Sequence, residues 1–552
     1  MIAMTESLDY GRLLQAGLDQ LSSTTILFLA FVSVWIVAVA FSRLFLHPLR
    51  AHPGPLFARL SDLYNTFHIV KKDEAQNFHK LHERYGPIVR YGPNRLSIAS
   101  PDAVKMLYTN SRYSKKADSY LAFPRNPENA SLFSSINKEV HARKRRVLRY
   151  GFSDNALKEA EVAIKKHVAT LLRCLEHLDD DNQEGWMVDD KKSPDTSDRW
   201  SSPKNWAIWI NRYSFDLSSD LSLSESFDMM RKEERRHFED IIHEGMWGEN
   251  VTGSAIFPLV SLKLKWLVLS SWVRSSKPFD DFVEQAAAAR AQEMATGVKG
   301  KKDFMTWLWA GVDAADKIPL EELKEEVILL ITAGGDTTST TISSALYYLL
   351  HQPVQLKKLQ DEVRQAFSSV DEIRLGSALN SCTYLRACID EALRMAPPAG
   401  SVLRREVEPS GVVVDDIFIP GGTNVGVPVS AMHHDPTYFP DPHMYQPERW
   451  IPGSRLADGT IVTPEFVKRA SGAFLPFSAG TRGCIGKPLA YLGISILYAT
   501  MMYEYDLRLC PDKWVNGKQS GNGPDPTSHY ELEDIFTSWK NGPLIELKAV
   551  SR

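Results

Sequence analysis

The sequence predicts a mainly α-helical protein with small β-sheets, hung from an N-terminal transmembrane helix. Three observations carry this. An uncharged run, TTILFLAFVSVWIVAVAFS, occupies residues 24–42. A helical pattern continues unbroken from 320 to 351. Short alternating apolar segments between turn residues occur near 85–101, 401–427 and 530–548.

The run at 24–42 is long enough to cross a bilayer as a helix. Arg43, His47 and Arg50 follow it, whereas the segment 1–23 carries Glu6, Asp9 and Asp19 against Arg12. Positive charge on the C-terminal side predicts a single-pass anchor with residues 1–23 lumenal and the rest cytosolic. A cleaved signal peptide fits less well, because the run is too long and starts too far in. Residues 43–56 contain HPLRAHPGP, whose prolines predict a stiff connector without helix. The remainder, 57–552, reads as one globular domain. Within it, YGPIVRYGPNRLSIASP (85–101) predicts a two-stranded unit, 154–177 a helix, and the charged, turn-rich 179–203 a surface insertion. The pattern at 320–351 opens at Pro319 and closes at Pro353, and would span about 48 Å.

Of 552 residues, 43% are hydrophobic and 24% charged, with a net charge of −4, so no basic footprint for nucleic acid exists. The five cysteines are odd in number and form no C-x-x-C pair, which disfavours a disulfide framework or a zinc site. A cysteine with a chemical role therefore acts alone. Cys484 is the candidate, in FSAGTRGCIG (477–486). Glycines at 480, 483 and 486 allow the backbone a close approach to a large object. A thiolate is a soft-metal ligand and serves as an axial ligand to haem iron. Arg482 lies two residues away and suits an anionic group such as a haem propionate.

FSAGTRGCIG resembles the haem-binding signature of the cytochrome P-450 superfamily at Phe477, Gly480, Arg482, Cys484 and Gly486. Further landmarks follow in family order: AGGDTT (333–338), EALR (391–394) and PERW (447–450). The resemblance implies the cytochrome P-450 fold, a triangular helical globule around a buried haem b with Cys484 as axial ligand. It implies Asp336 and Thr337 as the acid–alcohol pair that relays protons. It makes Glu391, Arg394 and Arg449 a structural triad beneath the cysteine loop. His141 and Arg145 of KEVHARKRRVL (138–148) fit the family's propionate contacts, as does Arg405, with Arg404 as competitor. Arg143, Lys144, Arg146 and Arg149 read as a solvated basic face suited to an acidic redox partner. Gly334 and Gly335 each cost a helix about 1 kcal/mol, and read as room for dioxygen beside the iron.

The resemblance further implies a monooxygenase that takes electrons from NADPH through NADPH–cytochrome P-450 reductase, uses O2, and sits in the endoplasmic reticulum membrane. HPLRAHPGP and HARKRRVLRYGFS look like microsomal fungal members that tailor secondary metabolites, and KADSYLAF is similar to fungal benzoate hydroxylases. The expected substrate is small and hydrophobic, an aromatic, polyketide or terpenoid skeleton. Oxidative phenol coupling is the alternative. A reductase-independent isomerase or dehydratase would need no proton relay, and a non-catalytic haem sensor would leave an apolar pocket unexplained. By family analogy the pocket draws on 113–135, 225–260, Ile331–Thr337, Ala399–Leu403 and Ile535–Thr537, with Phe123, Phe133, Trp247 and Phe536 as aromatic lining. Two sequons, at Asn129 and Asn250, fall on the expected cytosolic side and are not expected to be glycosylated.

Overall fold

The computed structural model describes residues 25–124, 127–177, 200–255, 276–296, 303–310, 319–510, 514–515, 518–519 and 527–550. The segment 1–23 and residues 179–199 of the expected insertion lie outside these.

Helix α1, Thr25–Leu46, is long and apolar enough to cross a membrane. Its side chains, Phe28 and Trp35 among them, face outward, an arrangement that water penalises and lipid does not. The last five residues, Ser42–Leu46, widen into a π turn. The connector departs from the helix-free expectation at 43–56. Pro48–Ala51 form a 3-10 turn and Leu56–Leu60 a short helix. Pro48 occupies a first-turn position, where its missing N–H is no loss. The wholly buried Arg90 donates to Pro93 O at 2.6 Å and to Arg43 O at 3.0 Å, tying the end of α1 to the sheet.

The principal sheet has five strands: β1 (Ile88–Gly92), β2 (Arg95–Ile98), β3 (Ser114–Lys116), β4 (Arg405–Val407) and β5 (Asn424–Gly426). Their order is β1-β2-β5-β4-β3. β2 pairs with β5 in parallel; the other pairings are antiparallel. In the last pair Lys116 lies opposite Arg405.

The helices that shape the site follow: α2 (Lys138–Leu148), α3 (Asp154–His177), α4 (Trp206–Leu223), α5 (Phe238–Ala255), α6 (Leu320–His351), α7 (Thr383–Met395) and α8 (Lys487–Glu504). α6 has the expected bounds, with Pro319 just outside its first turn and Pro353 opening the next helix. It runs through the core, where Ile342, Leu346 and Leu349 meet Trp206 and Tyr213 of α4 and Leu497 of α8. A Cβ on Gly335 would lie 2.3 Å from the Phe215 ring, so this glycine serves close packing of α4 on α6, not space for dioxygen. Near the C-terminus a hairpin of β6 (Leu532–Asp534) and β7 (Ser538–Lys540) folds back onto α6.

Candidate active site

The FSAGTRGCIG segment forms a loop closed by its own backbone. Cys484 N–H donates to Phe477 O at 2.8 Å, and Gly483 N–H to Gly480 O at 3.0 Å. Gly480 has φ +69°, and a Cβ there would sit 2.2 Å from Tyr108 O, so only glycine is accommodated. Gly486 caps α8, and the Gly486 and Lys487 amides point at Cys484 Sγ. Burial pushes the thiol pKa up; the Gly486 amide and the Arg145 guanidinium oppose it. The sulfur lies deep in the molecule yet is uncovered, because it faces an internal cavity of about 380 Å³.

Beside this loop a cleft of about 320 Å³ brings together His141, Arg145, Arg405 and Arg482. Among the described residues no acid lines it. Arg145 donates to Gly483 O at 2.7 Å, and Arg482 to Ser135 O at 2.6 Å. Burial and the neighbouring cations Arg482, Lys116, Arg145 and Arg405 depress His141 to about 3. Burial and Arg405 bring Arg482 down to about 10. Lys116, fully buried beside them, is held well below its ordinary pKa by burial, Arg405 and Arg482. Cations so crowded and desolvated call for anionic groups. The two carboxylates of a haem, with its iron toward the uncovered sulfur, fit this arrangement. Arg404 turns the other way and pairs with Glu74 at 2.5 Å, which removes it as a competitor of Arg405.

The wall facing Cys484 belongs to α6. Thr337 and Gly334 border the cavity, and the Thr337 hydroxyl donates to Ala333 O at 2.6 Å. Asp336 does not border it. Its carboxylate is only 1% exposed and bonds Lys540 Nζ of β7 at 3.2 Å and His243 Nε2 of α5 at 3.1 Å. Asp336 therefore touches neither the cavity nor the outer surface directly. Burial works against the charged form, but Lys540 and His243 prevail and hold the carboxyl below its usual range. Phe123, Phe133 and Phe536 close the cavity, their rings 5.0–5.5 Å apart. Trp247 does not: its indole N–H donates to Ile69 O at 3.2 Å. α5 presents Ile241, Ile242, Gly245, Met246 and Glu249 to the cavity, a helical stripe that leaves Trp247 outside.

Behind the cysteine loop, Glu391 receives Arg394 at 2.8 and 2.9 Å, Arg449 at 3.1 Å, the Gln446 amide at 3.0 Å and Trp450 Nε1 at 3.1 Å. All three charged side chains are fully buried.

A family profile described as Cytochrome P450 matches residues 53–527. The chain belongs to the cytochrome P450 family. It is 34% identical over 547 residues to the cytochrome P450 monooxygenase poxM of Penicillium oxalicum, covering 98% of each chain. It is 33% identical over 537 residues to the cytochrome P450 monooxygenase atnE of Emericella nidulans, covering 94% of this chain and 97% of that one. The P450 is thus an oxidoreductase of the monooxygenase class, with haem iron as the family's cofactor.

Sequence reasoning about this P450 missed several groups. Lys144 is not part of a solvated basic face: it is 1% exposed and bonds Glu326 and Glu322 of α6, each at 3.0 Å. Arg143 also pairs with Glu322, at 2.7 Å; Arg146 and Arg149 remain exposed along the cleft. The signal was available in Glu322 and Glu326, an i, i+4 acidic pair on a helix expected to be central. His433 was missed too. Its Nδ1–H donates to Arg394 O at 3.2 Å and its Nε2 accepts from Leu475 N–H at 2.8 Å. It thereby joins the triad to the segment leading into the cysteine loop. Asn250 is 2% exposed, facing Arg404, which leaves that sequon inaccessible.

Lys540→Met is expected to destabilise the P450 at neutral pH by about 3–5 kcal/mol, because it strips a buried carboxylate of its cation. The Asp336 pKa is depressed in the folded state. Its stabilisation is therefore full above the unfolded pKa near 4 and is lost as pH falls below about 4. Thermal unfolding of both forms against pH checks this; their difference should narrow on acidification.

Proposed function

We propose that the protein is a haem-thiolate monooxygenase, anchored by α1 in the endoplasmic reticulum membrane with its globular domain cytosolic. It takes electrons from NADPH through NADPH–cytochrome P-450 reductase and oxidises a hydrophobic, ring-containing fungal secondary metabolite. One observation carries this reading: an uncovered, deeply placed Cys484 sulfur at one wall of a largely apolar cavity whose other wall presents Thr337.

In this reading Cys484 holds the haem iron, and His141, Arg145, Arg405, Arg482 and Lys116 hold its carboxylates. The haem, when bound, supplies the activation of dioxygen. The chain's own residues supply the rest. Amides of Gly486 and Lys487 at the start of α8 temper the charge on sulfur. Phe123, Phe133 and Phe536 exclude water and offer ring faces to the substrate. Phe536 is held at φ +93° at the hairpin tip, its N–H bonded to Asp534 Oδ1 at 3.0 Å, so its ring is aimed and not free to wander. Thr337 donates its own proton to Ala333 O and so presents oxygen lone pairs to the cavity, able to orient a proton donor there.

The test is the carbon monoxide spectrum of the reduced, purified full-length protein. A thiolate-type Soret band supports the reading, and its absence from haem-loaded protein defeats it. A screen for substrate-induced shifts of the haem band then finds ligands, and products formed with NADPH and reductase separate oxygen insertion from phenol coupling.

A further inference from the structure

Asp336 and Thr337 are neighbours on α6, so their side chains diverge by about 100°. Thr337 borders the cavity and Asp336 does not. The described contacts of the Asp336 carboxylate run instead to β7 and α5. Its second oxygen, Oδ2, is buried with no partner at full hydrogen-bond geometry. The same holds for the hydroxyl of Thr537, at the turn between β6 and β7. Thr537 is 5% exposed, borders the cavity, and is one of the groups that hold the Asp336 carboxylate in its charged form. The chain that follows it is fixed to α6: Thr340 Oγ1 donates to Ser538 O at 3.1 Å, and Lys540 Nζ reaches Asp336 Oδ1 and, at 2.6 Å, Ser339 Oγ. Buried oxygens rarely stay unpaired; here the Thr537 hydroxyl and the Asp336 carboxylate are each other's prospective partner, and Thr537 borders the cavity that Asp336 does not.

We propose that Thr537 is the hydroxyl through which the buried Asp336 carboxylate passes protons into the cavity, with Lys540, His243 and Glu239 as the supply behind it. Glu239 of α5 adjoins this cluster and is itself buried. Arg212 of α4 lies 3.8 Å from it, it feels Lys540 on its inner side, and burial raises it to about 7. Asp216 of α4 and Asp240 of α5 also face it. His243 Nδ1 is a further buried atom without a partner on the same line. The transfer balances simply. Asp336 Oδ1 takes a proton from the Lys540 ammonium that bonds it, with His243 Nε2 on the same oxygen, and rotation of the carboxyl group turns the new O–H toward Thr537. Thr537 Oγ1 then accepts that proton as its own hydroxyl proton leaves for an acceptor in the cavity, and Glu239 returns a proton to Lys540. Because His243 sits on α5, whose stripe from Ile241 to Glu249 lines the cavity, a substrate that shifts this helix also adjusts the supply.

The inference rests on the monooxygenase reading, and the wild-type carbon monoxide spectrum tests that reading separately. The experiment uses full-length, haem-loaded protein with reductase and NADPH, and compares Thr537→Val, which keeps shape and removes the hydroxyl, with Thr537→Ser, which keeps the hydroxyl. Thr537→Ala substitutes if valine prevents haem loading. Thr537→Val is expected to cut product formed per NADPH by about tenfold, raise peroxide release and enlarge the solvent deuterium isotope effect, and Thr537→Ser to restore all three. A second readout needs no turnover: the infrared carboxylate band assigned through Asp336→Asn should shift in Thr537→Val at unchanged haem content. The proposal is overturned if valine and serine variants behave alike, or if the Asp336 band and the isotope effect stay at wild-type values in Thr537→Val.

Discussion

Cys484→Ala is expected to erase the thiolate-type Soret band of the reduced, carbon monoxide-bound protein and all NADPH-dependent product formation, while leaving the polypeptide folded. The second half of this expectation comes from the loop. Its closure uses Cys484 N–H on Phe477 O and Gly483 N–H on Gly480 O, both backbone contacts that alanine keeps. The loop is also braced from outside by Arg145 on Gly483 O and Arg482 on Ser135 O. Loss of the sulfur therefore removes one ligand atom and little else. Circular dichroism should match the wild type, and haem content should fall, since the cationic cleft alone must then retain the cofactor. A variant with the original band intact would mean that another group binds the iron, and the proposed function would fall with it.

Glu391→Gln is expected to be more damaging to the fold than any substitution in the cavity. The carboxylate is the anion shared by Arg394 and Arg449, and all three side chains are fully buried. Burial alone would raise the Glu391 pKa, but Arg394 and Arg449 outweigh it and keep the group ionised. Glutamine preserves size and turns one acceptor into a donor facing two guanidinium groups. Leaving those charges without a counter-ion amounts to about 3–5 kcal/mol. The damage should reach the haem, because His433 connects Arg394 O to Leu475 N–H, two residues before Phe477. The expected readouts are a lowered thermal midpoint, reduced haem loading and a Soret band that decays on standing. Wild-type thermal stability with full haem content would show the triad to be dispensable.

What could be read from sequence was local. Five positions of the cysteine loop lie within ten residues, Glu391 and Arg394 are one helical turn apart, and prolines mark both ends of α6. In each case the spacing itself carries the geometry. What escaped was long-range. Lys540 meets Asp336 across 204 residues, and Lys144 meets Glu326 across 182. No periodicity, cap or turn announces such a partner. The basic run 138–148 looks uniform as sequence, and only the acids of α6 sort Lys144 from Arg146. Gly335 was misjudged for a related reason: a glycine in a helix signals a close neighbour, but not whether that neighbour is a ligand or, as here, Phe215. Trp247 shows the opposite failure, since the stripe of α5 that faces the cavity was already countable from 241 to 249.

Arg90 has a practical consequence for handling the protein. Its guanidinium clasps the carbonyl of Arg43, and Arg43 in turn reaches Leu60 O at 2.5 Å. Soluble versions made by trimming the apolar N-terminus should therefore be cut upstream of Phe41. A cut at the connector prolines would unhook the clasp and leave a buried cation short of an acceptor. The same clasp joins the end of α1 to the principal sheet, so a change at Arg43 would be felt at Arg90.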